Sequence, residues 1–214
     1  MLRVNEIFRS CQGEGVRAGV PTTFIRLQGC NLSPGCSYCD TRYAQSAEGR
    51  TVSLDDILSC VETDSVCITG GEPLHQDIEE LVARLYKSGI SIEIFTNGSL
   101  PPPAWYRKVS SWVVDIKCPS SGVKGVSRVS DWVSILRSCD QLKFTVADSS
   151  DLSFVIATLN AHSSKAAVIV SPVIQVGAGV DDKWARVVWD FCCRNNVRFS
   201  LQVHKIVFGD RKGV

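Results

Sequence analysis

The chain of 214 residues lacks an excess of charge of either sign, a long hydrophobic run and an export signal. Its formal net charge is +1, so no electrostatic argument favours a nucleic acid or an anionic membrane surface as a partner. No apolar segment approaches the roughly 18 residues that a membrane-spanning helix needs. The stretch Met1–Ile7 has neither the apolar run nor the cleavage site of a signal peptide. We therefore expect a cytoplasmic protein that binds neither nucleic acid nor membrane directly.

The sequence also has no internal repeat, no low-complexity tract and no linker. The run Pro101–Pro103 is typical of a stiff surface turn and not of a domain boundary. A length of 214 residues fits one domain, with a core large enough to fold without disulfide bonds. We expect a single domain that covers residues 1–214.

Three of the ten cysteines lie in one short loop, at Cys30, Cys36 and Cys39. Three thiolates are one ligand short of a closed four-ligand site, and the next Cys or His along the chain is the distant Cys60. Two interpretations are open: a non-catalytic zinc-binding module with a remote fourth ligand, and an iron–sulfur cluster with one iron free. Most of the other cysteines are expected to be buried thiols that pack as small hydrophobic groups. They are Cys11, Cys60, Cys67, Cys118, Cys139, Cys192 and Cys193.

Short runs rich in β-branched and aromatic residues alternate with amphipathic stretches. Apolar residues at helical spacing start at Ile78, at Leu152 and at Trp184, where the stripe continues through Val187, and a further helix is expected to begin at Ser53. The predicted strands are Thr23–Leu27, Ser65–Thr69, Ser91–Thr96, Trp112–Ile116, Gln141–Val146, Ala167–Ser171 and Arg198–Val203.

Strands that alternate with helices predict a parallel sheet with right-handed crossovers. These strands are too few to close an eight-stranded barrel. We therefore predict an α/β fold, either a partial TIM-type barrel of about six parallel strands or an open sheet. In both, functional residues gather at the carboxyl ends of the strands.

The motif Thr-Gly-Gly-Glu-Pro, at Thr69–Pro73, follows the second predicted strand. Two glycines let the backbone approach a ligand closely, and we expect their N–H groups to point outward. Glu72 is expected to hold its carboxylate on a stiff turn, where it can accept a hydrogen bond from an ammonium group. A Gly-Gly turn after a strand is by itself weak evidence for a ligand-binding site, because most such turns only connect two elements. Here it is strong evidence, because the motif lies one strand–helix unit after the three-cysteine loop.

The cysteine loop and the Gly-Gly-Glu-Pro motif together resemble the radical S-adenosylmethionine (SAM) enzymes. The resemblance implies a 4Fe-4S cluster whose three cysteine ligands are Cys30, Cys36 and Cys39 and whose open iron binds the amino and carboxylate groups of SAM. The reduced cluster then cleaves SAM to a 5′-deoxyadenosyl radical, chemistry that the protein must orient and shield from water.

The flanking segments narrow the resemblance to one family. Residues 6–15, 24–30, 39–41, 96–101 and 201–205 are similar to the 7-carboxy-7-deazaguanine synthases. The resemblance implies a carbon–nitrogen lyase of queuosine-type deazapurine biosynthesis, which serves tRNA modification. Such an enzyme converts 6-carboxy-5,6,7,8-tetrahydropterin to 7-carboxy-7-deazaguanine with release of ammonia.

The resemblance also implies roles for individual residues. Arg26 would pair with the substrate carboxylate through its guanidinium fork, and the Thr41 hydroxyl would bind Mg²⁺. The implied substrate contacts are Cys11, Gln12, Gly13, Glu14, Arg26, Thr69 and His204, with His204 near the end of the last strand. The implied SAM contacts are Tyr38, Cys39, Asp40, Gly70, Gly71, Glu72, Asp115, Ile116, Lys117, Ser171, Pro172, Val173 and Ile174.

Three features depart from the family pattern. The Cys30-to-Cys36 spacing is longer than usual, and we expect the turn Ser33-Pro34-Gly35 to bulge outward while the three sulfurs still meet at one cluster. Phe95 stands where some relatives have an acidic residue, so we expect that polar substrate contact to be lost or supplied elsewhere. The segment Phe208–Val214 extends past the point where some relatives stop.

The resemblance implies three kinds of partner: the pterin substrate, an electron donor such as flavodoxin or ferredoxin, and a second copy of the chain in a homodimer. A glycyl-radical activating enzyme, which shares the cluster but acts on a protein, is an alternative. The sequences Gln12–Gly15 and Gln202–Lys205 argue against it.

Overall fold

A computed structural model describes residues 1–32, 34–46, 48–125, 128–175, 179–209 and 211–214. Within these residues, nine strands form one sheet. Their bounds are β1 (Leu2–Cys11), β2 (Pro21–Leu27), β3 (Arg50–Val52), β4 (Ser65–Gly70), β5 (Ser91–Thr96), β6 (Ser111–Ile116), β7 (Gln141–Val146), β8 (Ala167–Pro172) and β9 (Arg198–Phe199). The spatial order is β3-β1-β2-β4-β5-β6-β7-β8-β9.

The seven strands β2-β4-β5-β6-β7-β8-β9 each pair in parallel with the next one in this order, as the alternating pattern predicts. The predicted strands that correspond to β2, β4, β5, β6, β7 and β8 are present with nearly the same bounds. The α/β prediction is therefore confirmed, and the strand order is that of a partial barrel, in which β3 and β9 form the two ends of the sheet.

An antiparallel edge precedes the parallel strands and was not predicted. β1 pairs with both β2 and β3 in the antiparallel sense, and its register with β2 shifts between Val4 and Glu6. Most of β1 is only half-buried, so it lacks the apolar run by which the other strands are recognised. This edge extends the sheet beyond the first βα unit.

The prediction of a last strand at Arg198–Val203 is wrong beyond its first two residues. Only Arg198 and Phe199 pair with β8, because the chain then turns toward the loop after β1, where the Ser200 hydroxyl accepts a hydrogen bond from Gly15 N–H. A short helix follows at Val203–Phe208, so His204 lies in a helix and not at a strand end.

The helices cover the outer face of the sheet. Ser53 caps the first helix by accepting a hydrogen bond from Asp56 N–H at 3.1 Å. Val187 is wrongly placed on the apolar stripe, since 48% of it is exposed on a helix that packs mainly against β8 and the short β9. No helix in the described ranges is long and apolar enough to cross a membrane. The helices are α1 (Leu54–Ser59), α2 (Glu79–Lys87), α3 (Val129–Val133), α4 (Ser149–Ala161), α5 (Asp182–Asn195) and α6 (Val203–Phe208).

The hydrophobic core lies between the sheet and these helices. Residues such as Ile68, Ile94 and Phe144 are fully buried there. All ten cysteines are free thiols, but the expectation that most of the seven outside the loop are buried is wrong. Cys67, Cys118 and Cys192 are buried, whereas Cys11, Cys60, Cys139 and Cys193 are exposed.

Candidate active site

A cavity of about 470 Å³ opens at the carboxyl ends of the parallel strands. Thr69 of β4, Asp115 of β6 and Lys143 of β7 line it, because alternate residues of these strands point to the side opposite the helices. The loop after β2, the loop after β1 and the C-terminal segment close its other sides. The cavity therefore lies where functional residues of parallel α/β folds gather.

The cysteine loop forms one wall of the cavity, and all three of its thiols line it. Cys39 N–H donates to Cys36 C=O at 3.1 Å, which closes a tight turn between these two cysteines. Burial raises the pKa of the Cys30 and Cys36 thiols. Of the predicted Ser33-Pro34-Gly35 turn, Ser33 lies outside the described residues.

The two glycines of the Gly-Gly-Glu-Pro motif let the chain pass close to the cysteine loop. A Cβ at Gly70, where φ is +136°, would overlap the Leu27 carbonyl, and one at Gly71 would overlap the Gly29 carbonyl. The prediction that the N–H groups of the two glycines point outward is wrong for Gly71, and the N–H group of the next residue also points inward. Gly71 N–H donates to Leu27 C=O at 3.2 Å, and Glu72 N–H donates to Gly29 C=O at 2.8 Å.

The Glu72 carboxylate is buried behind this loop and does not line the cavity. It accepts hydrogen bonds from Leu74 N–H at 3.0 Å, from the Thr96 hydroxyl at 2.9 Å and from Asn97 N–H at 2.7 Å. Burial raises its pKa, and these donors offset part of that effect. Three of the roughly four acceptor positions of a carboxylate are thus occupied. Glu72 fastens the end of β5 to the Gly-Gly turn.

A second wall is formed by Asp115 and Lys117 at the end of β6 and by Val173, which follows β8. Lys117 Nζ pairs with Asp115 Oδ2 at 2.9 Å, and both side chains are largely buried. Burial would lower the pKa of Lys117, but the nearby Asp115 raises it well above its ordinary value. Asp115 Oδ1 and Ser171 Oγ are buried without a hydrogen-bond partner in the part of the chain that the structure describes. Such orphaned acceptors and hydroxyls are rare unless a ligand satisfies them.

Arg26 lies on the opposite side of the cavity, on β2. Its Nε donates to Glu6 Oε1 at 2.6 Å, and the Tyr43 hydroxyl donates to the same oxygen at 3.0 Å. The guanidinium carbon is 5.7 Å from the centre of the Phe8 ring. Because only Nε is engaged by Glu6, the two terminal nitrogens of Arg26 are available to a carboxylate in the cavity.

Glu14 is held by a cation and an amide that the sequence pattern does not reveal. Its carboxylate pairs with Lys143, and its Oε1 accepts a hydrogen bond from Gln202 Nε2 at 3.0 Å. Burial would raise the pKa of Glu14, but Lys143 and His204 outweigh it and lower the pKa to about 2. Glu14 is thus an ionised acceptor at the cavity surface.

Gln12 is oriented by a second buried carboxylate, Glu93. Gln12 Nε2 donates to Glu93 Oε2 at 2.5 Å, and Gln141 Nε2 donates to Glu93 Oε1 at 3.1 Å. The amide oxygens then face the loop after β1: Gln12 Oε1 accepts from Glu14 N–H, and Gln141 Oε1 accepts from Val16 N–H. Burial raises the pKa of Glu93 to about 7. Glu93 thereby sets the direction of both amides beneath the loop.

His204 packs directly on Gly13. A Cβ at Gly13 would overlap the His204 ring, so this position needs glycine. Burial lowers the pKa of His204, which favours the neutral imidazole, although Glu14 opposes that effect. His204 therefore stands in the same wall as the loop after β1.

The structure brings most of the predicted site residues together around one cavity. Those that line it are Cys11, Gln12, Gly13, Glu14, Arg26, Cys30, Cys36, Tyr38, Cys39, Asp40, Thr41, Thr69, Gly70, Gly71, Asp115, Lys117, Val173 and His204. Five others are buried beside it and do not line it: Glu72, Ile116, Ser171, Pro172 and Ile174.

Further lining residues were missed by the sequence analysis. Lys143 and Lys205 are the most consequential of them, because each pairs with a predicted site carboxylate. Phe95 lines the cavity with the Lys143 ammonium 5.9 Å from its ring centre. The C-terminal Arg211–Val214 also line the cavity, while Asp210 of the same segment lies outside the described residues.

Comparison with known proteins agrees with this arrangement. The family model described as Radical SAM superfamily matches residues 24–117, from the middle of β2 through the cysteine loop to Lys117. A 7-carboxy-7-deazaguanine synthase of Methanospirillum hungatei is 38% identical over 96% of this chain and 85% of its own length. One of Koribacter versatilis is 34% identical over the whole of both chains.

A solved structure gives the same result for the fold. The crystal structure of QueE from Escherichia coli matches with a TM-score of 0.76 at 26% identity, over 95% of this chain and 94% of that one. The sequence relatives share more than 30% identity with nearly the whole chain, and the structural match covers the same span. The chain belongs to the 7-carboxy-7-deazaguanine synthase family of radical SAM enzymes.

Proposed function

We propose that the chain converts 6-carboxy-5,6,7,8-tetrahydropterin to 7-carboxy-7-deazaguanine with release of ammonia. The observation that carries the proposal is one cavity lined by both sets of groups that this reaction needs. The three thiols lie at one wall, and Arg26, Glu14 and His204 lie at the others. Family membership gives the substrate class, and the cavity gives each group a place. The alternatives of a zinc module and of a glycyl-radical activating enzyme have no support in the relatives.

Cys30, Cys36 and Cys39 would hold a 4Fe-4S cluster. All three line one cavity, yet in the described part of the chain no three His, Cys, Asp or Glu side chains are placed to hold a single metal ion. Thiols that surround a space suit a cluster, in which each thiolate binds a different iron. When bound with SAM, the cluster supplies one-electron chemistry that no side chain can perform.

The wall formed by β6 and β8 would hold SAM. The unpartnered Asp115 Oδ1 supports this, since Asp115 lines the cavity and this oxygen can accept a hydrogen bond from a hydroxyl or amino group of a ligand. Gly70 and Gly71 place the backbone close to the cysteine loop, so a ligand bound there would lie against the thiols. Because Glu72 already has three donors, we assign it mainly to holding the Gly-Gly turn in place.

The substrate would lie between Arg26 and Glu14. The free terminal nitrogens of Arg26 would bind the substrate carboxylate as a bidentate fork. The ionised Glu14 would accept hydrogen bonds from the amino-pyrimidine edge, with Lys143 as a donor beside it. Lys143 would thus supply a polar contact next to Phe95, where some relatives have an acid. His204 and Thr69 would complete the pocket, and Gln12 would act chiefly by orienting Glu14.

Thr41 would be the protein ligand of Mg²⁺, with substrate and water oxygens filling the other positions. The Thr41 hydroxyl oxygen is 3.7 Å from Cys39 Sγ, so the ion would stand between the cluster loop and the substrate. We also propose a flavodoxin or ferredoxin as electron donor, as is usual for radical SAM enzymes.

We further propose that the chain is one domain, works in the cytoplasm and forms a homodimer. One continuous sheet supports the single domain. Ten free thiols suit a reducing compartment, where disulfides are rare. The exposed apolar residues Val203, Ile206, Val207 and Phe208 of α6 offer a surface for a second copy. Light scattering on the reconstituted protein measures the mass directly, and a monomer at micromolar concentration contradicts the dimer.

Metal analysis and SAM cleavage test the catalytic proposal. Anaerobic reconstitution with iron and sulfide is expected to load a cluster that is lost in the Cys36→Ala variant, and one zinc per chain would contradict it. With reductant, SAM and Mg²⁺, deazaguanine should form once the pterin is added, while deoxyadenosine should accumulate only slowly. SAM cleavage without any deazaguanine would show that the substrate assignment is wrong.

A further inference from the structure

We propose that Lys205 is a positioning residue that joins the cofactor side of the cavity to Glu14 on the substrate side. The inference rests on the proposed function, because it uses the role given there to Glu14 and the SAM contacts that the family resemblance implies at Asp40 and Ile174. Lys205 belongs to the Gln202–Lys205 segment that is typical of the family, yet only His204 of that segment has been given a role. The Lys205 side chain lines the cavity and is only 8% exposed.

The Lys205 ammonium has three acceptors on three different segments. It lies 3.1 Å from Asp40 Oδ2 in the cysteine loop, 3.0 Å from the Ile174 carbonyl after β8, and 2.8 Å from Gln202 Oε1. The ammonium group donates hydrogen bonds to the Ile174 carbonyl and to Gln202 Oε1, and it forms an ion pair with Asp40. A side chain with this set of partners fixes the distances between the segments.

The Gln202 amide passes this constraint to Glu14. Its oxygen accepts from Lys205, which leaves its Nε2 to donate to Glu14 Oε1 at 3.0 Å. The amide cannot turn around without placing its NH₂ group against the ammonium. Lys205 therefore determines that Glu14 receives a donor at Oε1.

The backbone around Gln202 is attached to the same loop. Val203 N–H donates to Gly13 C=O at 2.9 Å, and Gly15 N–H donates to the Ser200 hydroxyl at 3.0 Å. The C-terminal segment thus moves with residues 13–15, and Lys205 connects it to Asp40 and Ile174. Cofactor binding that fixes the positions of Asp40 and Ile174 would therefore fix the position of Glu14 as well. Binding of the two ligands is then coupled, and the coupling is reciprocal.

Binding measurements on the anaerobically reconstituted enzyme test the coupling. The dissociation constant of 6-carboxytetrahydropterin is measured with and without SAM for the wild type, for Lys205→Met and for Gln202→Glu. We expect SAM to tighten pterin binding in the wild type and both variants to lose roughly 10- to 100-fold of that gain. Gln202→Glu keeps an acceptor for Lys205 but replaces the donor to Glu14 with a second carboxylate, which repels Glu14 Oε1. Lys87→Met, at an exposed site on α2, is the matched control, and SAM should tighten its binding of the pterin as much as in the wild type. If SAM tightens pterin binding as much as in the wild type in either Lys205→Met or Gln202→Glu, the proposal is overturned.

Hydrogen exchange on the protein without cluster or SAM gives a readout that does not depend on turnover. Lys205→Met should raise amide exchange at residues 13–15 and 172–175 together, whereas Lys87→Met should not. If amide exchange rises only at residues 203–208, or does not rise at all, the proposal that Lys205 joins these segments is overturned. If the wild type fails to bind the pterin, the proposed function fails, while the exchange result still decides whether Lys205 joins these segments.

Discussion

Replacing Glu93 by glutamine should remove a loss of stability that the wild type suffers as the pH rises. Glu93 is 2% exposed and accepts hydrogen bonds from the Gln12 and Gln141 amides. Burial raises its pKa from 4.5 to about 7, although Arg17 and the two amides oppose that rise. A carboxyl with a raised pKa binds its proton more tightly in the folded state. The contribution of Glu93 to the stability of the folded state is therefore fully present below about pH 4.5 and is lost as the pH rises through about 7.

The size of the effect follows from the two pKa values. A rise from 4.5 to about 7 corresponds to roughly 3 kcal/mol of unfolding free energy. Glutamine has nearly the shape of the acid and does not titrate in this range, but its NH₂ group must face one of the two amide donors, at a cost that is the same at every pH. Between about pH 4.5 and about pH 8 we therefore expect the stability of Glu93→Gln to rise by roughly 3 kcal/mol relative to that of the wild type.

Urea unfolding of the protein without cluster, at constant ionic strength from about pH 4.5 to about pH 8, measures this difference. The lowered pKa of His204 makes stability rise with pH over part of the same range, but both proteins carry it, so it cancels in the difference. Glu80→Gln, at an exposed site on α2, is the matched control and should follow the wild type. Parallel curves for the wild type and Glu93→Gln would refute the reasoning.

Three further predictions concern the walls of the cavity. Gly71→Ala should abolish cluster loading, measured as iron per chain, because its Cβ would overlap the cysteine-loop backbone; Gly89→Ala, where a Cβ meets open space, should load normally. Arg26→Met should weaken substrate binding by roughly 2–5 kcal/mol with little change in SAM binding, and an unchanged KM would contradict the carboxylate contact. In the wild type the Glu14 contribution to stability is present above about pH 4.5 and is lost as the pH falls toward about 2. In urea unfolding, Lys143→Met should make the stability fall less steeply as the pH is lowered in this range. An unchanged fall in stability would contradict the ion pair between Lys143 and Glu14.

The parallel strands and the place of the site were predictable because both depend on local pattern. Runs such as Ser111–Ile116 are mostly apolar and β-branched, and parallel strands place their carboxyl ends together. The last strand was not predictable beyond Phe199. Its alternating residues fit a strand, but Ser200 and Gln202 bond to Gly15 and Glu14 in the loop after β1 instead.

The partners of the predicted residues could not be found from the sequence. Lys143 and Glu14 are 129 residues apart, and they meet only because β7 and the loop after β1 reach the same end of the sheet. The sequence showed the two glycines of the Gly-Gly-Glu-Pro motif, but not why glycine is needed there. Gly70 and Gly71 pass so close to the backbone of the cysteine loop that a side chain would overlap it, and this close approach exists only in the folded chain.

The central claim is that this cavity contracts a carboxytetrahydropterin ring with SAM as a regenerated cofactor. The most direct test is anaerobic turnover with reductant, Mg²⁺, SAM and 6-carboxy-5,6,7,8-tetrahydropterin, in which deazaguanine and deoxyadenosine are quantified together by mass spectrometry. We expect many molecules of 7-carboxy-7-deazaguanine to form for each molecule of SAM that is cleaved irreversibly. Deoxyadenosine without 7-carboxy-7-deazaguanine would contradict it.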